Sequence, residues 1–105
     1  MIEQFDTQML EVFGLKPENF DVDFLQWTYT FIKKSIKLDL VYSMDKTIST
    51  SLYVNNTLTV FCFGYGLKLL RIDNDKIYGE TDFNGIKRSL EIDPLNITFK
   101  WEDSF

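Results

Sequence analysis

From residue 24 onward, apolar and polar side chains alternate with a two-residue period, and Asn, Asp, Gly or Pro interrupts the pattern about every ten residues. That period places one set of side chains on each face of an extended strand. Leu25, Trp27, Tyr29 and Phe31 alternate with Gln26, Thr28 and Thr30. After Lys33-Lys34-Ser35, the most regular run sets Ile36, Leu38, Leu40 and Tyr42 against Lys37, Asp39, Val41 and Ser43. Met44-Asp45-Lys46 reads as a turn, and Ile48, Leu52 and Val54 as a strand that meets the positive-φ-tolerant pair Asn55-Asn56. A strand over 57–63 follows, then a break at Gly64-Tyr65-Gly66 and a strand over 67–72. Asp73-Asn74-Asp75 turns the chain into a short run over 77–80. Asn84-Gly85 predicts another hairpin leading into 86–92, and Asp93-Pro94 breaks the chain before Ile97, Phe99 and Trp101.

The first residues follow a different period. Ile2, Phe5, Met9, Val12 and Phe13 recur at helical spacing, with Glu3, Gln4, Gln8 and Glu11 between them. Gly14 suits the left-handed position after a helix and Pro17 prevents continuation, so the helix should end near Phe13. The whole predicts an α+β fold, with an N-terminal helix packed on a curled, mainly antiparallel sheet of about 6–8 short strands, half-open barrel or sandwich-like. No composition shift divides residues 1–105, which reads as a single domain.

Composition narrows the function. The chain has 45% hydrophobic and 16% aromatic residues, enough to form a core, and it has no histidine. Its net charge of -5 disfavours nucleic acid and anionic membrane surfaces and favours a basic protein partner. Acids dominate residues 1–23, six against one base, and residues 72–105, eight against four. Residues 24–71 carry six bases against two acids. Cys62, the one cysteine, sits in the apolar run Val60-Phe61-Cys62-Phe63, which predicts a buried thiol and no internal disulfide. The opening residues lack a basic stretch followed by an apolar one, and nowhere do 18 apolar residues run together, which predicts a cytoplasmic protein. Without export, the sequons at Asn55 and Asn96 carry no meaning. Gly, Ala, Arg and Pro together number nine, as AT-rich coding DNA would give.

The chemical motifs reduce to structural ones. Ser43-Met44-Asp45-Lys46 matches a serine acyl-transfer pattern but falls in a turn, without companion motifs. Gly64-Tyr65-Gly66 opens like a dinucleotide fingerprint but lacks the third glycine and the following helix. The acids from Asp73 fail the calcium-loop pattern, because Ile77 and Tyr78 stand where a ligand and a glycine are needed. Paired carboxylates could hydrolyse a glycoside only within a cleft of the right width. Trp27, Tyr29 and Phe31 could stack bases, but three aromatics on one strand face are expected in a core. No cofactor, metal site or catalytic residue is assigned, and the chain reads as non-enzymatic.

What remains is a surface. Asp73, Asp75, Glu80 and Asp82, with Tyr78 and Phe83 between them, form the candidate partner-binding set. In size and acidity the chain is similar to bacterial immunity proteins, the antitoxins that cover a cognate toxin, which makes a toxin inhibitor the leading expectation. The alternatives are a small-ligand carrier holding an apolar molecule among Trp27, Phe31, Phe61 and Phe63, or a homodimeric structural subunit joined through an open sheet edge.

Overall fold

The structure, a computed structural model, describes residues 4–104. Helix α1 spans Phe5–Phe13; Ile2, the first apolar position of the helical pattern, lies outside the described residues. Phe5 and Met9 are fully buried, whereas Val12 is exposed, so the helix packs through a narrow stripe. Gly14 ends it at φ 67°, its N–H donating to the Leu10 carbonyl at 3.0 Å.

Asp6 docks the helix. Its carboxylate accepts from the hydroxyls of Tyr29 at 2.6 Å and Tyr42 at 2.5 Å. The Phe5 ring stands edge-on to both tyrosine rings, with centroids 5.7 and 5.6 Å away. Burial, followed by the hydrogen bond and charge of Asp6, raises both hydroxyls above the ordinary tyrosine value of 10.0.

Nine strands follow, rather than six to eight, in two antiparallel sheets that do not close into a barrel. The first sheet runs β1 (Asn19–Asp21), β2 (Gln26–Lys33), β3 (Ile36–Ser43), β4 (Thr47–Val54) and β5 (Thr57–Tyr65) in spatial order. The second runs β6 (Leu67–Asp73), β7 (Lys76–Phe83), β8 (Ile86–Asp93) and β9 (Thr98–Ser104). Within each sheet every strand thus pairs with its neighbours in sequence, and β5 and β6 do not pair. Asn55-Asn56, Asn74-Asp75 and Asn84-Gly85 all hold positive φ at both positions, the geometry that joins right-twisted strands through two residues.

The sheets part at one residue. Gly66 lies between β5 and β6 at φ 74°, and a Cβ there would meet the Asp82 carbonyl oxygen at 2.2 Å. Its own carbonyl accepts from the Asp82 N–H at 2.9 Å. Both inner faces then feed one core, in which Leu38, Leu40 and Ile48 of the first sheet join Leu70, Ile77 and Ile92 of the second. Trp101 reaches across, its Nε1 donating to the buried Thr50 hydroxyl at 2.9 Å.

Several local expectations are revised. Leu25 and Ile97 are not strand residues. Both turn the chain at positive φ, 51° and 52°, Leu25 exposed and Ile97 buried. Gly64 lies inside β5, so the break is at Gly66 alone. The run through 77–80 belongs to an eight-residue strand. Short β1 escapes the period because three residues cannot display one. Cys62 is half-buried, not buried, because β5 is an edge strand. Among the described residues no helix is long and apolar enough to cross a membrane.

Gly66→Ala is expected to lower stability by about 3 kcal/mol or more, since strain and a backbone clash coincide. Gly85→Ala, at φ 79° with open space around it, should cost only about 1–2 kcal/mol. Urea unfolding of the two variants distinguishes these outcomes, and equal losses would remove the corner's special role. A second expectation concerns pH. Because folding raises the Tyr29 and Tyr42 pKa values, their contribution is complete below the unfolded value of 10.0 and is lost as pH rises beyond it. The urea midpoint should fall above that pH, and fall less steeply in Asp6→Asn.

Candidate partner-binding surface

Alternation along β7 sends Ile77, Gly79 and Thr81 inward and Tyr78, Glu80 and Asp82 outward. Three of the candidate residues therefore share the solvent face of the second sheet. Asp73 closes β6 opposite Lys76 and Asp75 lies in the turn between them, both at one end of β7, and Phe83 lies at the other end. Strand geometry spaces the set over about 25 Å, at roughly 3.4 Å per residue. The six residues thus follow β7 and the turn before it without forming a cluster.

The face is mixed in charge. Asp73 pairs with Arg71 at 3.3 Å, and the Arg71 guanidinium lies over the Tyr78 ring, 5.0 Å from its centroid. Asp82 stands opposite Lys87 in the β7–β8 ladder, and Glu80 shares a shallow groove with Lys68, Lys87 and Arg88. Lys76–Glu91 and Lys100–Glu102 add further surface pairs at 3.8 and 2.9 Å. Pairs this exposed contribute little to stability, but they do temper the negative field of the four acids.

A second surface was not anticipated from sequence. On β5, Gly64 faces the core and sits against Trp101 and Thr81, which turns Phe61, Phe63 and Tyr65 outward. Their rings form a chain with Phe83, at centroid separations of 6.5, 4.9 and 5.4 Å. Phe61 is 55% exposed and Phe83 51%. Four neighbouring aromatic rings facing solvent form the kind of patch that monomeric proteins seldom display without use. Phe83 is the one candidate residue that belongs to both surfaces.

Arg88 fixes the seam behind this strip. Its Nε donates to Asp103 at 2.9 Å, its guanidinium lies over the Trp101 ring at 4.6 Å, and it donates to the Phe63 carbonyl at 3.0 Å. The last contact ties β5 to the second sheet. It also shows that the Phe63 carbonyl points away from β4, so alternate backbone groups of β5 lie on an open edge. Of the four edge strands, β5 alone carries no charged residue; Asp21 marks β1, Lys68 and Arg71 mark β6, and Lys100 and Glu102 mark β9. A bulge opposite Leu52/Tyr53 interrupts its register near the hairpin.

The strip escaped the sequence reading because Phe61 and Phe63 look like core residues. A signal was nevertheless present. Both alternating sets of residues 60–65 are apolar and none of residues 57–65 is charged, more apolar surface than a strand buried on one face needs.

The remaining motifs are structural. Ser43, Asp45 and Thr47 hydrogen-bond one another across the β3–β4 turn, and the two hydroxyls hold the Asp45 carboxyl below its usual range. Trp27 stacks on Tyr42 at 5.2 Å, and Tyr29 and Phe31 are buried, so the three β2 aromatics serve the core. Trp27 and Phe31 face inward while Phe61 and Phe63 face outward, so these four rings enclose no common space for an apolar ligand. Among the described residues no three Cys, Asp or Glu side chains are placed to hold a metal ion.

One helix packed on two antiparallel meanders defines a small α+β domain fold. No family model matches the sequence, and no curated protein does. The fold is similar to a chain of the "Contact-dependent growth inhibition toxin - immunity protein complex from Klebsiella pneumoniae 342", with a TM-score of 0.79. That likeness covers 94% of this chain and 93% of the other at 21% identity, and so is a likeness of fold.

The exposed rings should be dispensable for folding. Phe61→Thr is expected to change stability by no more than about 0.5 kcal/mol, whereas Trp101→Phe, which strands the buried Thr50 hydroxyl, should cost about 1–2 kcal/mol. Thermal unfolding of both variants checks this, and a large loss in Phe61→Thr would return that ring to the core.

Proposed function

We propose that the chain is a non-enzymatic inhibitor of the immunity-protein kind, which binds a toxin domain in the cytoplasm and covers its active surface. The observation that carries this reading is the end-to-end likeness of fold to a chain of a toxin–immunity complex. The chemistry of the chain favours the covering role over the toxic one. It has no histidine, its one cysteine is half-buried in an edge strand, and its most prominent surface feature is an aromatic strip rather than a cleft.

The net charge of -5 suits a basic toxin domain and would speed its association through opposite fields. In this reading Asp73, Asp75, Glu80 and Asp82 stand in for the phosphates of a nuclease substrate, and Tyr78 and Phe83 supply rigid apolar contact. The shared outward face of Tyr78, Glu80 and Asp82 supports the idea. The cations around Glu80 and Asp82 argue for a contact tuned to one partner rather than a general attraction to bases.

Affinity capture of the tagged chain from its native cell, with a moderate-salt wash, should recover a stoichiometric basic toxin domain. Co-expression with that domain should then restore growth. Recovery of the chain alone from cells that express toxins, or growth arrest despite co-expression, would sink the inhibitor reading. The double variant Glu80→Lys/Asp82→Lys should weaken the complex about tenfold or more at low salt. Unchanged affinity would remove this face from the interface while leaving inhibition in place.

A further inference from the structure

The aromatic strip along β5 carries a projection at one end and a hollow at the other. The projection is Phe61, 55% exposed. Leu58 stands beside it on the same face, because Leu52 packs on the core and the bulge then sets Leu58 opposite the outward Tyr53. The hollow has a volume of about 140 Å³ and is walled by Phe63, Tyr65, Phe83, Ile86 and Arg88. Apolar cavities of about 150 Å³ accept a benzene ring, so this one has room for a single aromatic side chain.

Charge does not choose what fills it. Arg88 is answered by Asp103 at 2.9 Å, Lys87 stands opposite Asp82, and β5 itself carries no charged residue. A cationic partner therefore gains no attraction here, and two copies of the chain meet without like charges in contact. Shape and ring chemistry choose instead. The Arg88 guanidinium already lies over the Trp101 ring, and a flat guanidinium in the wall of an apolar hollow favours a second aromatic ring. Such a ring stands on the same strip. A two-fold axis passing near Phe63 reverses the order of the rings, so Phe61 of each copy faces the hollow of the other and both contacts form together. Leu58, Phe61, Phe63, Tyr65, Phe83 and Ile86 are between 39% and 56% exposed. Covering them in both copies would bury about 1,000 Å², the lower limit for a specific interface.

We propose that the chain forms a two-fold symmetric dimer through this strip, the Phe61 ring of each copy seated against Phe83, Ile86 and Arg88 of the other. The rings make the contact rather than the backbone, because Arg88 occupies the Phe63 carbonyl and the bulge interrupts the edge near the hairpin. The dimer does not depend on the inhibitor reading and leaves its contact face open. Tyr78, Glu80 and Asp82 point to the opposite side of the second sheet from Thr81 and the hollow, with Phe83 alone at the border of both surfaces.

Sedimentation velocity of the whole chain from about 1 to 500 µM tests this, the range over which an interface of this size dissociates. A shift from monomer to dimer is expected within it, with a midpoint that moves less than about twofold as salt is raised, since no net charge is brought together. Below that range the chain is monomeric, which is where the folding comparison of Phe61→Thr belongs. Phe61→Thr should raise the midpoint at least about tenfold. Ile86→Trp should do the same, because it fills the hollow even as it enlarges the apolar surface. Leu95→Ser, at an exposed apolar residue between β8 and β9, should leave the midpoint unchanged. In a mixture of labelled and unlabelled copies of the unaltered chain, intermolecular NOEs are expected between the Phe61 ring and the Ile86 methyl groups. That measurement decides the matter even if a substitution disturbs the fold. A monomer at the highest concentration, assembly beyond two copies, tighter association in Ile86→Trp, or intermolecular contacts centred on Tyr78 and Glu80 would each overturn the proposal.

Discussion

Gly66 is the point at which the chain leaves one sheet for the other, and its backbone decides how the two inner faces meet. A left-handed residue with no side chain lets β5 hand over to β6 with nothing between them. The close approach of Asp82 then draws β7 against the first sheet. From that corner follow the shared core, the reach of Trp101 to Thr50 and the seat of Arg88 over the Trp101 ring. The helix closes the remaining side. Asp6 performs that task with one carboxylate and two tyrosine hydroxyls, a polar contact whose members are each engaged and which therefore specifies a single docking angle.

Much of this was readable from residue order. The strand over 36–43 emerged with its apolar set inward as its alternation required, and the paired turn residues at 55–56, 74–75 and 84–85 each took positive φ. What sequence could not supply was the division of one meander into two sheets, because a glycine between strands is equally compatible with a bulge, a bend or a corner. Leu25 shows a related limit. The alternation carries the strand back to Leu25, yet β2 begins only at Gln26 and the chain turns at Leu25 and exposes it, and no local propensity announces a leucine at positive φ.

Surface function was less legible than fold for a physical reason. Sequence reveals which residues are apolar and which are charged, but not which apolar residues are surplus to the core. Phe61 and Phe63 look like core residues in an apolar run, and their outward placement depends on Gly64 taking the core position against Trp101. Likewise the acids of β7 could be placed on a common face from their spacing, whereas the cations that answer them across the sheet come from β6 and β8 and appear only once the ladders are known. The result is a molecule with a charge-tempered outer face and an aromatic strip at the seam.

The uncharged edge of β5 also bears on how the protein must be handled in a cell. A strand without lysine, glutamate or proline offers its backbone to any other extended chain, including copies of itself during synthesis. Two local devices narrow that opening, the bulge near the hairpin and the Arg88 side chain that occupies the Phe63 carbonyl. The second exists only after β8 has been made and folded back. For the interval in which β5 has left the ribosome and β8 has not, the strand is unguarded, so the order of translation makes the nascent chain more prone to aggregation than the finished protein.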